Sequence, residues 1–147
     1  MIAIGADHGG VNLKLAIQKY LEEQGIQYLD FGTNDENSVD YAPIAAKVAH
    51  AVADGKAEKG ILCCGTGIGI SIAANKVPGI RAAVVSNAFC AEMTRAHNDS
   101  NILCMGGRVI GEADAVEFTK IFLKTEFEGG RHARRVEQIA AIERGEL

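Results

Sequence analysis

Residues 61–76 read ILCCGTGIGISIAANK, and this segment is the strongest indication of the fold. Its first four residues, Ile61–Cys64, form an apolar run with the length of a buried strand. A loop with glycines at alternate positions follows over Gly65–Gly69 and leads into a short helix that is predicted to end near Lys76. A fully apolar strand that turns tightly into a helix is typical of a parallel sheet covered on both faces.

Outward from this unit, the chain alternates short β-branched runs with longer amphipathic patterns. With Ile61–Cys64 as the third of five, the other predicted strands are Ile2–Ala6, Ile26–Phe31, Arg81–Val85 and Ile102–Met105. Besides the short one, the predicted helices are Val11–Gln24, a segment from near Pro43 to Asp54, a segment from a Ser86 cap to about His97, Ala113–Phe127, and Arg131 to about Arg144. Short right-handed βαβ connections predict an α/β fold: a three-layer αβα, Rossmann-like sandwich with a five-stranded parallel sheet. The expected strand order is 2-1-3-4-5.

The composition indicates one folded domain over residues 1–147. A net charge of −4 and an aromatic content of 5% argue against a nucleic-acid partner, which needs a basic face and stacking side chains. No apolar run approaches the roughly 20 residues of a membrane span, so no membrane partner is expected. The four cysteines form no C-x-x-C pair, and the first residues carry no export signal; a cytoplasmic location is therefore expected.

Two polar, glycine-rich loops are predicted at the same edge of the sheet. In the expected strand order, ligands bind beyond the carboxyl ends of the first and third strands, where the order reverses. The segments that emerge there are Asp7–Gly10, with sequence DHGG, and Cys64–Gly69, with sequence CGTGIG. Position and composition therefore predict the functional site at this edge.

The glycine loop does not match the common nucleotide and phosphate loops. A Walker loop ends in Gly-Lys-Ser/Thr, which is absent, and a dinucleotide fingerprint needs a third glycine where Ile72 stands. A Cys-x5-Arg phosphatase loop needs arginine at the position of Ile70. The alternate glycines leave backbone N–H groups free to face an anion or a developing oxyanion. The other interpretation is a turn that only packs a helix on a strand.

Cys64 is the cysteine with a reactive position. It ends a strand and precedes a helix N-terminus, whose field favours the thiolate; the alternative is a small core residue. Strand alternation turns Cys63 to the other face, and Cys63, Cys90 and Cys104 are interpreted as structural. His8 and His97 lie in polar loops, but no two of the histidines and cysteines have the spacing of metal ligands, so no metal is expected.

The last predicted helix carries a group of basic residues. Arg131 and Arg135 are four residues apart and so share one helix face. In an acidic chain, such a pair is typical of a phosphate clamp, while a solvated basic face is the alternative.

Six motifs together carry a family resemblance. They are GADHGG (5–10), DYAP (40–43), CGTGIGISIAANKVPGIRAA (64–83), RAHNDSNIL (95–103), GGRVIG (106–111) and EGGRHARRVEQI (128–139). On these motifs the chain resembles the type B ribose-5-phosphate isomerase family, which also includes galactose-6-phosphate isomerases. The resemblance runs nearly from end to end.

The resemblance implies an aldose–ketose isomerase that needs no cofactor and no metal. It would interconvert ribose 5-phosphate and ribulose 5-phosphate through an enediolate, with Cys64 moving a proton between C1 and C2 of the sugar. Thr66 and His97 would assist the opening of the furanose ring. Another branch of the family uses a glutamate base at the position of Ile70, which places this chain in the cysteine branch.

The resemblance also implies which residues hold the substrate. Gly65 through Ser71 would form the anion hole around the enediolate. Asp7 and His8 would contact the sugar, and Tyr41 and Asn98 would line the site. The implied substrate-binding set is Asp7, His8, Tyr41, Gly65, Gly67, Ile68, Gly69, Ser71, Asn98, Arg108, Arg131 and Arg135, with the three arginines on the phosphate.

Several alternatives stay open at this point. Allose 6-phosphate or galactose 6-phosphate could be the substrate, and a non-catalytic regulator that binds a phospholigand needs neither Cys64 nor His97. A cysteine phosphatase is opposed by the missing loop arginine. The resemblance implies a homodimer or homotetramer with shared active sites, in which His97, Asn98 and Arg108 come from the neighbouring subunit.

Overall fold

Strand β3 is the centre of a parallel sheet of five strands. The computed structural model describes residues 1–147. The strands are β1 (Ile2–Ala6), β2 (Tyr28–Asp30), β3 (Lys59–Cys64), β4 (Ala82–Val84) and β5 (Ile102–Gly106). The helices are α1 (Val11–Glu23), α2 (Tyr41–Ala53), α3 (Ile68–Ala74), α4 (Ala88–Ala96), α5 (Glu112–Lys124) and α6 (Arg131–Glu143). The predicted α/β sandwich is confirmed.

The order of the strands is β2-β1-β3-β5-β4, so the expected order is wrong in its last two strands. Strand β5 pairs with β3 from Gly60↔Ile102 to Cys64↔Gly106. All five residues of β5 are buried, whereas the three residues of β4 are half-buried or exposed. A short, partly exposed strand suits the edge of a sheet, and a fully apolar strand suits its interior.

The boundary of helix α4 also differs from the prediction. Its N-cap is Asn87, whose side chain accepts a hydrogen bond from the backbone N–H of Cys90 at 2.8 Å. Ser86, the predicted cap, lies one residue outside. Asparagine and serine cap helices about equally well, so sequence preference alone did not separate them.

The sheet separates two apolar layers. Leu62 and Cys64 pack on one face with a cluster that includes Ile44 of α2. Cys63 packs on the opposite face with a cluster that includes Phe122 of α5. The predicted alternation of the two neighbouring cysteines is thus confirmed.

Lys14 in α1 is fully buried beneath the loop that follows β2. Its Nζ atom donates hydrogen bonds to Asp30 Oδ1 at 2.6 Å and to Asn34 Oδ1 at 2.7 Å. Burial alone would raise the pKa of Asp30, but hydrogen bonds from Lys14 and from the Gly32 backbone outweigh it and leave the pKa below its usual value. The hydrogen bonds from the buried Lys14 to Asp30 and Asn34 hold the loop that leads to α2.

Helix α6 lies on the outside of the sandwich. His132 is its only buried residue, while Ile139 and Ile142 are 46% and 60% exposed. Its far end is held by Glu143, which accepts a hydrogen bond from the Gly79 backbone at 2.7 Å. None of the six helices has the length and apolar character needed to cross a membrane.

Candidate active site

The glycine loop lies at the carboxyl end of β3, against the end of β5. Gly67 has a φ of 82°, in the left-handed region that favours glycine. A Cβ atom on Gly67 would also lie 2.9 Å from the backbone carbonyl carbon of Met105. A side chain at Gly106 would meet the backbone of Thr66 at 2.6 Å. The glycines are therefore required by close backbone approach as well as by the turn.

The thiol of Cys64 has a polar partner, unlike the other buried cysteines. Cys64 is 5% exposed, and its Sγ atom accepts a hydrogen bond from the backbone N–H of Gly67 at 3.1 Å. Burial raises the pKa of the Cys63 thiol and that of the Cys104 thiol. An N–H donor stabilises negative charge on sulfur, so Cys64 is the buried cysteine suited to work as a thiolate.

Several backbone N–H groups beside this thiol have no acceptor in the chain. They belong to Gly65, Thr66, Gly69 and Ile70. Buried or half-buried N–H groups normally find a partner, so a row of unpaired donors at one loop is suited to a ligand oxygen. The N–H groups of Gly67 and Ile68 are already used, by Cys64 Sγ and by Thr66 Oγ1 at 3.2 Å.

The hydrogen-bond donors of Ser71 and Ile70 differ from what the sequence predicted. The Ser71 hydroxyl donates to the Ile68 carbonyl at 2.7 Å, and the Ser71 N–H donates to the Gly67 carbonyl at 3.3 Å. Both donors of Ser71 are therefore used inside the helix. Ile70, whose N–H is free, lies inside the predicted anion hole but was left out of the implied substrate-binding set. Its place in the first turn of α3, where N–H groups lack intrahelical partners, is the signal that could have found it.

The segment Asp7–Gly10 packs directly on the glycine loop. A Cβ on Gly9 would lie 2.9 Å from the Gly65 nitrogen. Asp7 is buried, and its Oδ1 accepts a hydrogen bond from the Gly9 N–H at 2.8 Å. His8 Nδ1 accepts a hydrogen bond from the Val39 N–H at 3.3 Å. Because Nδ1 accepts that bond, the Nε2–H group of His8 can act as a donor.

Tyr41 and Arg108 complete this side of the site. The Tyr41 ring lies against Gly69, where a Cβ would be 2.7 Å from the ring carbon Cζ. The Arg108 N–H donates to the Gly65 carbonyl at 3.0 Å, and its guanidinium lies over Gly65. Asp7, His8, Tyr41, Cys64–Ser71 and Arg108 are called the Cys64 cluster below. Arg108 thus lies beside the glycine loop of its own chain, whereas the resemblance implied that it comes from the neighbouring subunit together with His97 and Asn98.

His97 and Asn98 lie at the opposite edge of the sheet. They follow α4 and precede β5, so they lie near the first residue pair between β3 and β5, Gly60↔Ile102. That pair is four residues along the strands from the last pair, Cys64↔Gly106. Four residues of parallel strand span about 13 Å. Within one chain, the sheet therefore separates His97 from Cys64.

The turn at His97 is braced by two arginines. Asp99 has a φ of 47°, unusual for a residue with a side chain. Arg95 Nη1 donates to Asp99 Oδ1 at 2.8 Å, and Arg81 Nη2 donates to the Asp99 carbonyl at 2.8 Å. Arg81 Nε also donates to the Asn98 carbonyl at 3.0 Å. These bonds hold the turn in its strained conformation.

Helix α6 begins beside His97. The ring of His132 stacks on that of His97, with centroids 4.1 Å apart and planes 7° from parallel. Arg131 and Arg135 are exposed at this end of α6, and neither forms an ion pair with an acidic residue of the chain. His97, Asn98, Glu128, Arg131, His132 and Arg135 are called the His97 cluster below.

The His97 cluster contains the one group of side chains with the composition of a metal site. Ligand atoms of His97, Glu128 and His132 lie within 4.8 Å of one another. Because the two rings are nearly parallel and stacked, their in-plane lone pairs lie in separate planes and do not converge on one ion. The arrangement is that of a stacked imidazole pair beside a carboxylate.

A groove of about 490 Å³ lies away from the Cys64 cluster, between β4 and the outer part of α6. It is lined by Asn98 and Arg81 on one side and by Ile139 and Ile142 on the other. It contains no thiol. The chemistry is therefore assigned to the strand ends, and the groove to the exposed face of α6.

Known proteins match this chain over nearly its whole length. A family model described as Ribose/Galactose Isomerase matches residues 2–139. Ribose-5-phosphate isomerase B of Escherichia coli is 49% identical over 142 residues, which cover 97% of this chain and 95% of that protein. The solved structure of the Clostridium thermocellum ribose-5-phosphate isomerase B has a TM-score of 0.96 at 53% identity and 99% coverage of both chains. The Mycoplasma genitalium enzyme, solved with bound ribulose 5-phosphate, has a TM-score of 0.93 at 38% identity, covering 97% of this chain and 95% of that one.

The parallel α/β sandwich, the loop thiol and these relatives define an aldose–ketose isomerase. The chain belongs to the ribose/galactose isomerase family, in the group of the type B ribose-5-phosphate isomerases. The resemblance drawn from the sequence motifs is thereby confirmed.

Proposed function

We propose that the chain interconverts ribose 5-phosphate and ribulose 5-phosphate, with the Cys64 thiolate as the base. The observation that carries this proposal is the Cys64 Sγ atom, which accepts an N–H bond in a loop where four further N–H groups are unpaired. A base and a set of oxyanion donors are what proton transfer beside a carbonyl requires. The relatives named above support the substrate.

In the proposed reaction, Cys64 removes the proton from C2 of the open-chain aldose. The electron pair forms the C1–C2 double bond, and the carbonyl oxygen O1 becomes the enediolate oxygen. The unpaired N–H groups of Gly65, Gly69 and Ile70 would stabilise that charge. The proton on O2 then passes to O1, the thiol returns its proton to C1, and O2 becomes the carbonyl oxygen of the ketose.

Opening of the furanose ring precedes this step. The C1–O4 bond breaks, the 1-hydroxyl loses a proton and O4 gains one. Because the Ile68 N–H donates to Thr66 Oγ1, the hydroxyl hydrogen of Thr66 is free to donate to a sugar oxygen. His97 is the group proposed to exchange the second proton.

Thr66 and His97 can act on one sugar only if two copies of the chain meet. The two clusters lie at opposite edges of one sheet, so the proposed site joins the Cys64 cluster of one chain to His97 of the partner subunit. Ile68, Ile72 and Val109 beside the Cys64 cluster are 54%, 57% and 57% exposed, which is an apolar surface that a second copy would cover. The working form is thus a homodimer, or a homotetramer built from such pairs.

The phosphate would be held between the same two copies. Arg108 lies in the Cys64 cluster, while Arg131 and Arg135 lie in the His97 cluster, and none of the three has an acidic partner in its own chain. Arginines without a carboxylate partner are suited to a phosphate, which they bind through paired N–H groups.

The proposed location is the cytoplasm. Four free cysteines are compatible with that reducing compartment.

The test is direct detection of ribulose 5-phosphate formed from ribose 5-phosphate by the wild-type chain. The kcat/KM for ribose 5-phosphate should exceed that for allose 6-phosphate and for galactose 6-phosphate. Binding of all three without turnover would instead support a regulator. A higher kcat/KM for either hexose phosphate would reassign the substrate but keep the chemistry. Cys64→Ala serves as the blank for contaminating isomerase.

A further inference from the structure

His132 has the only buried side-chain nitrogen or oxygen that lacks a hydrogen-bond partner, its Nε2 atom. Its side chain is 8% exposed. An unpaired buried polar atom destabilises a fold. A phenylalanine would fill the same space beside His97 without that penalty, so the nitrogen itself requires an explanation.

The Nε2 atom of His132 faces the same carboxylate as the catalytic candidate His97. Glu128 Oε1 lies 3.5 Å from His132 Nε2 and 3.8 Å from His97 Nε2. The rings are stacked, so the two nitrogens lie side by side with the carboxylate across from both. The carboxylate therefore lies near both nitrogens without forming a hydrogen bond to either.

The backbone holds these three side chains in register. The Glu128 N–H donates to the Ala96 carbonyl at 3.0 Å, which fastens the segment before α6 to the end of α4, next to His97. Arg95 Nε donates to the Thr125 carbonyl at 3.2 Å and anchors the same segment. The placement of Glu128 is therefore built into the fold, although its side chain is 57% exposed.

Burial and the neighbouring charges disfavour the protonated form of His132. Burial lowers the pKa of His132, His97 and Arg131 lower it further, and Glu128 opposes them. His132 is also the less exposed ring, at 8% against 38% for His97. A neutral His132 avoids the repulsion that two stacked imidazolium ions would have.

We propose that His132 and Glu128 are positioning residues that orient the His97 ring for opening of the sugar ring. The proposal rests on the proposed function, in which His97 acts on ring opening. Neither residue needs to touch the substrate. Their removal should slow ring opening and leave the proton transfer by Cys64 intact.

The test separates the two steps by choice of substrate. Ribulose 5-phosphate cannot close a furanose ring, because its O5 atom carries the phosphate. Exchange of its C1 hydrogen with D₂O, followed by NMR, therefore measures enediolate formation alone. Conversion of ribose 5-phosphate measures ring opening together with that proton transfer.

His132→Phe keeps a flat ring and removes the nitrogen, and Glu128→Gln keeps the shape and removes the charge. Each should lower kcat for ribose 5-phosphate by about tenfold to a hundredfold, with KM within about threefold, because only the geometry of a catalytic group is lost. C1 exchange on ribulose 5-phosphate should stay within about threefold of wild type. His50→Phe, the same change on the exposed face of α2, is the matched control and should alter neither.

A double variant shows whether the effect passes through His97. In a His97→Ala background, His132→Phe should have no further effect on kcat, since the group that it positions is gone. Wild-type turnover by His132→Phe would overturn the proposal, as would equal losses in both assays or an additive loss in the double variant. A wild-type chain that fails to convert ribose 5-phosphate would instead refute the proposed function, which is measured first.

Discussion

The backbone N–H of Gly67 donates a hydrogen bond to the Sγ atom of Cys64 across 3.1 Å. Gly67 reaches this position with a φ of 82° and with no room for a side chain against the Met105 backbone. One glycine therefore turns the chain into α3 and supplies the donor for the thiol.

The substitution Gly67→Ala should destabilise the fold more than a left-handed glycine elsewhere. Gly25 has a φ of 68° and open space around its Cβ position, so Gly25→Ala measures backbone strain alone, about 1–2 kcal/mol. Gly67→Ala adds the clash with Met105, worth a further 1–3 kcal/mol or so. Urea unfolding gives both values. Equal losses would show that the Met105 backbone yields without cost.

Loss of the thiol should remove proton transfer and keep the fold. Cys64→Ala is expected to lower kcat by about 10²–10⁴ and to leave the thermal midpoint and phosphate inhibition nearly unchanged. Cys64→Ser should be nearly as slow, since a hydroxyl ionises much less readily than a thiol. Cys63→Ala is the control, with near wild-type activity and a stability loss of about 1 kcal/mol.

Chemical labelling checks the same assignment independently. Iodoacetamide should react with Cys64 before the buried Cys63 and Cys104. Cys90, which was expected to react slowly, is exposed, so protection by ribose 5-phosphate of Cys64 but not of Cys90 is the distinguishing result. Turnover by Cys64→Ala at close to the wild-type rate would move the base to Asp7 or His8.

The arginine pair of α6 should act on binding. Arg131→Ala or Arg135→Ala removes a charge-assisted contact of about 1.5–3 kcal/mol, so KM should rise roughly tenfold to a hundredfold and inhibition by inorganic phosphate should weaken. Arg134→Ala is the matched control, because it removes the same charge from a neighbouring exposed position. A similar rise in KM for Arg134→Ala would show that the effect comes from the overall positive charge of α6 and not from specific contacts with the phosphate.

Two inactive variants should complement each other when their subunits exchange. A mixed pair of Cys64→Ala and His97→Ala chains contains one site with both residues intact. An equal mixture at full exchange should recover about a quarter of wild-type activity, since half of the pairs are mixed and each has one working site of two. Native mass spectrometry verifies the exchange. If the mixture stays inactive although subunit exchange is verified, the whole site lies within one chain.

The ion pair between the buried Lys14 and the partly exposed Asp30 should affect stability in acid. The pKa of Asp30 lies below its usual value, so this carboxylate adds stability above about pH 4, and the contribution disappears as the pH falls through the lower folded-state pKa. Lys14→Met removes the main donor and should lower the free energy of unfolding at neutral pH by about 1–3 kcal/mol. Its stability should also fall less steeply than that of wild type between about pH 5 and pH 3.

Lys19→Met, an exposed lysine on the same helix, is the control for that experiment and should follow the wild-type curve. An unchanged acid slope in Lys14→Met would show that Asp30 is held mainly by the Gly32 backbone and by Gln18.

The sequence predicted the layers of the fold better than their lateral order. Ile61–Cys64 and its glycine loop read directly as a central strand and turn, because apolar runs and glycines are local signals. Whether β4 or β5 lies next to β3 depends on which apolar strand fits between two covered faces, and that is decided by packing across the sheet. The burial of Lys14 could not be predicted from the sequence either. It depends on the contacts of Lys14 with Asp30 and Asn34, which only the tertiary structure brings together.

The candidate site divides in the same way. The Cys64 cluster was predictable because strand ends and glycine turns share one edge of the sheet. The placement of His97 at the other edge was also available, since it ends a helix rather than a strand. Its pairing with Glu128 and His132 was not, because a contact between α4 and the segment before α6 depends on how two surface helices pack.

In the proposed dimer, the division of the arginines between the two clusters would make the substrate a part of the quaternary structure. A phosphate held by Arg108 of one chain and by Arg131 of the partner subunit ties the two copies together. By mass action, each bound sugar phosphate then strengthens the association that created its site. The amount of assembled enzyme would rise with the supply of substrate, and starvation for pentose phosphate would release subunits.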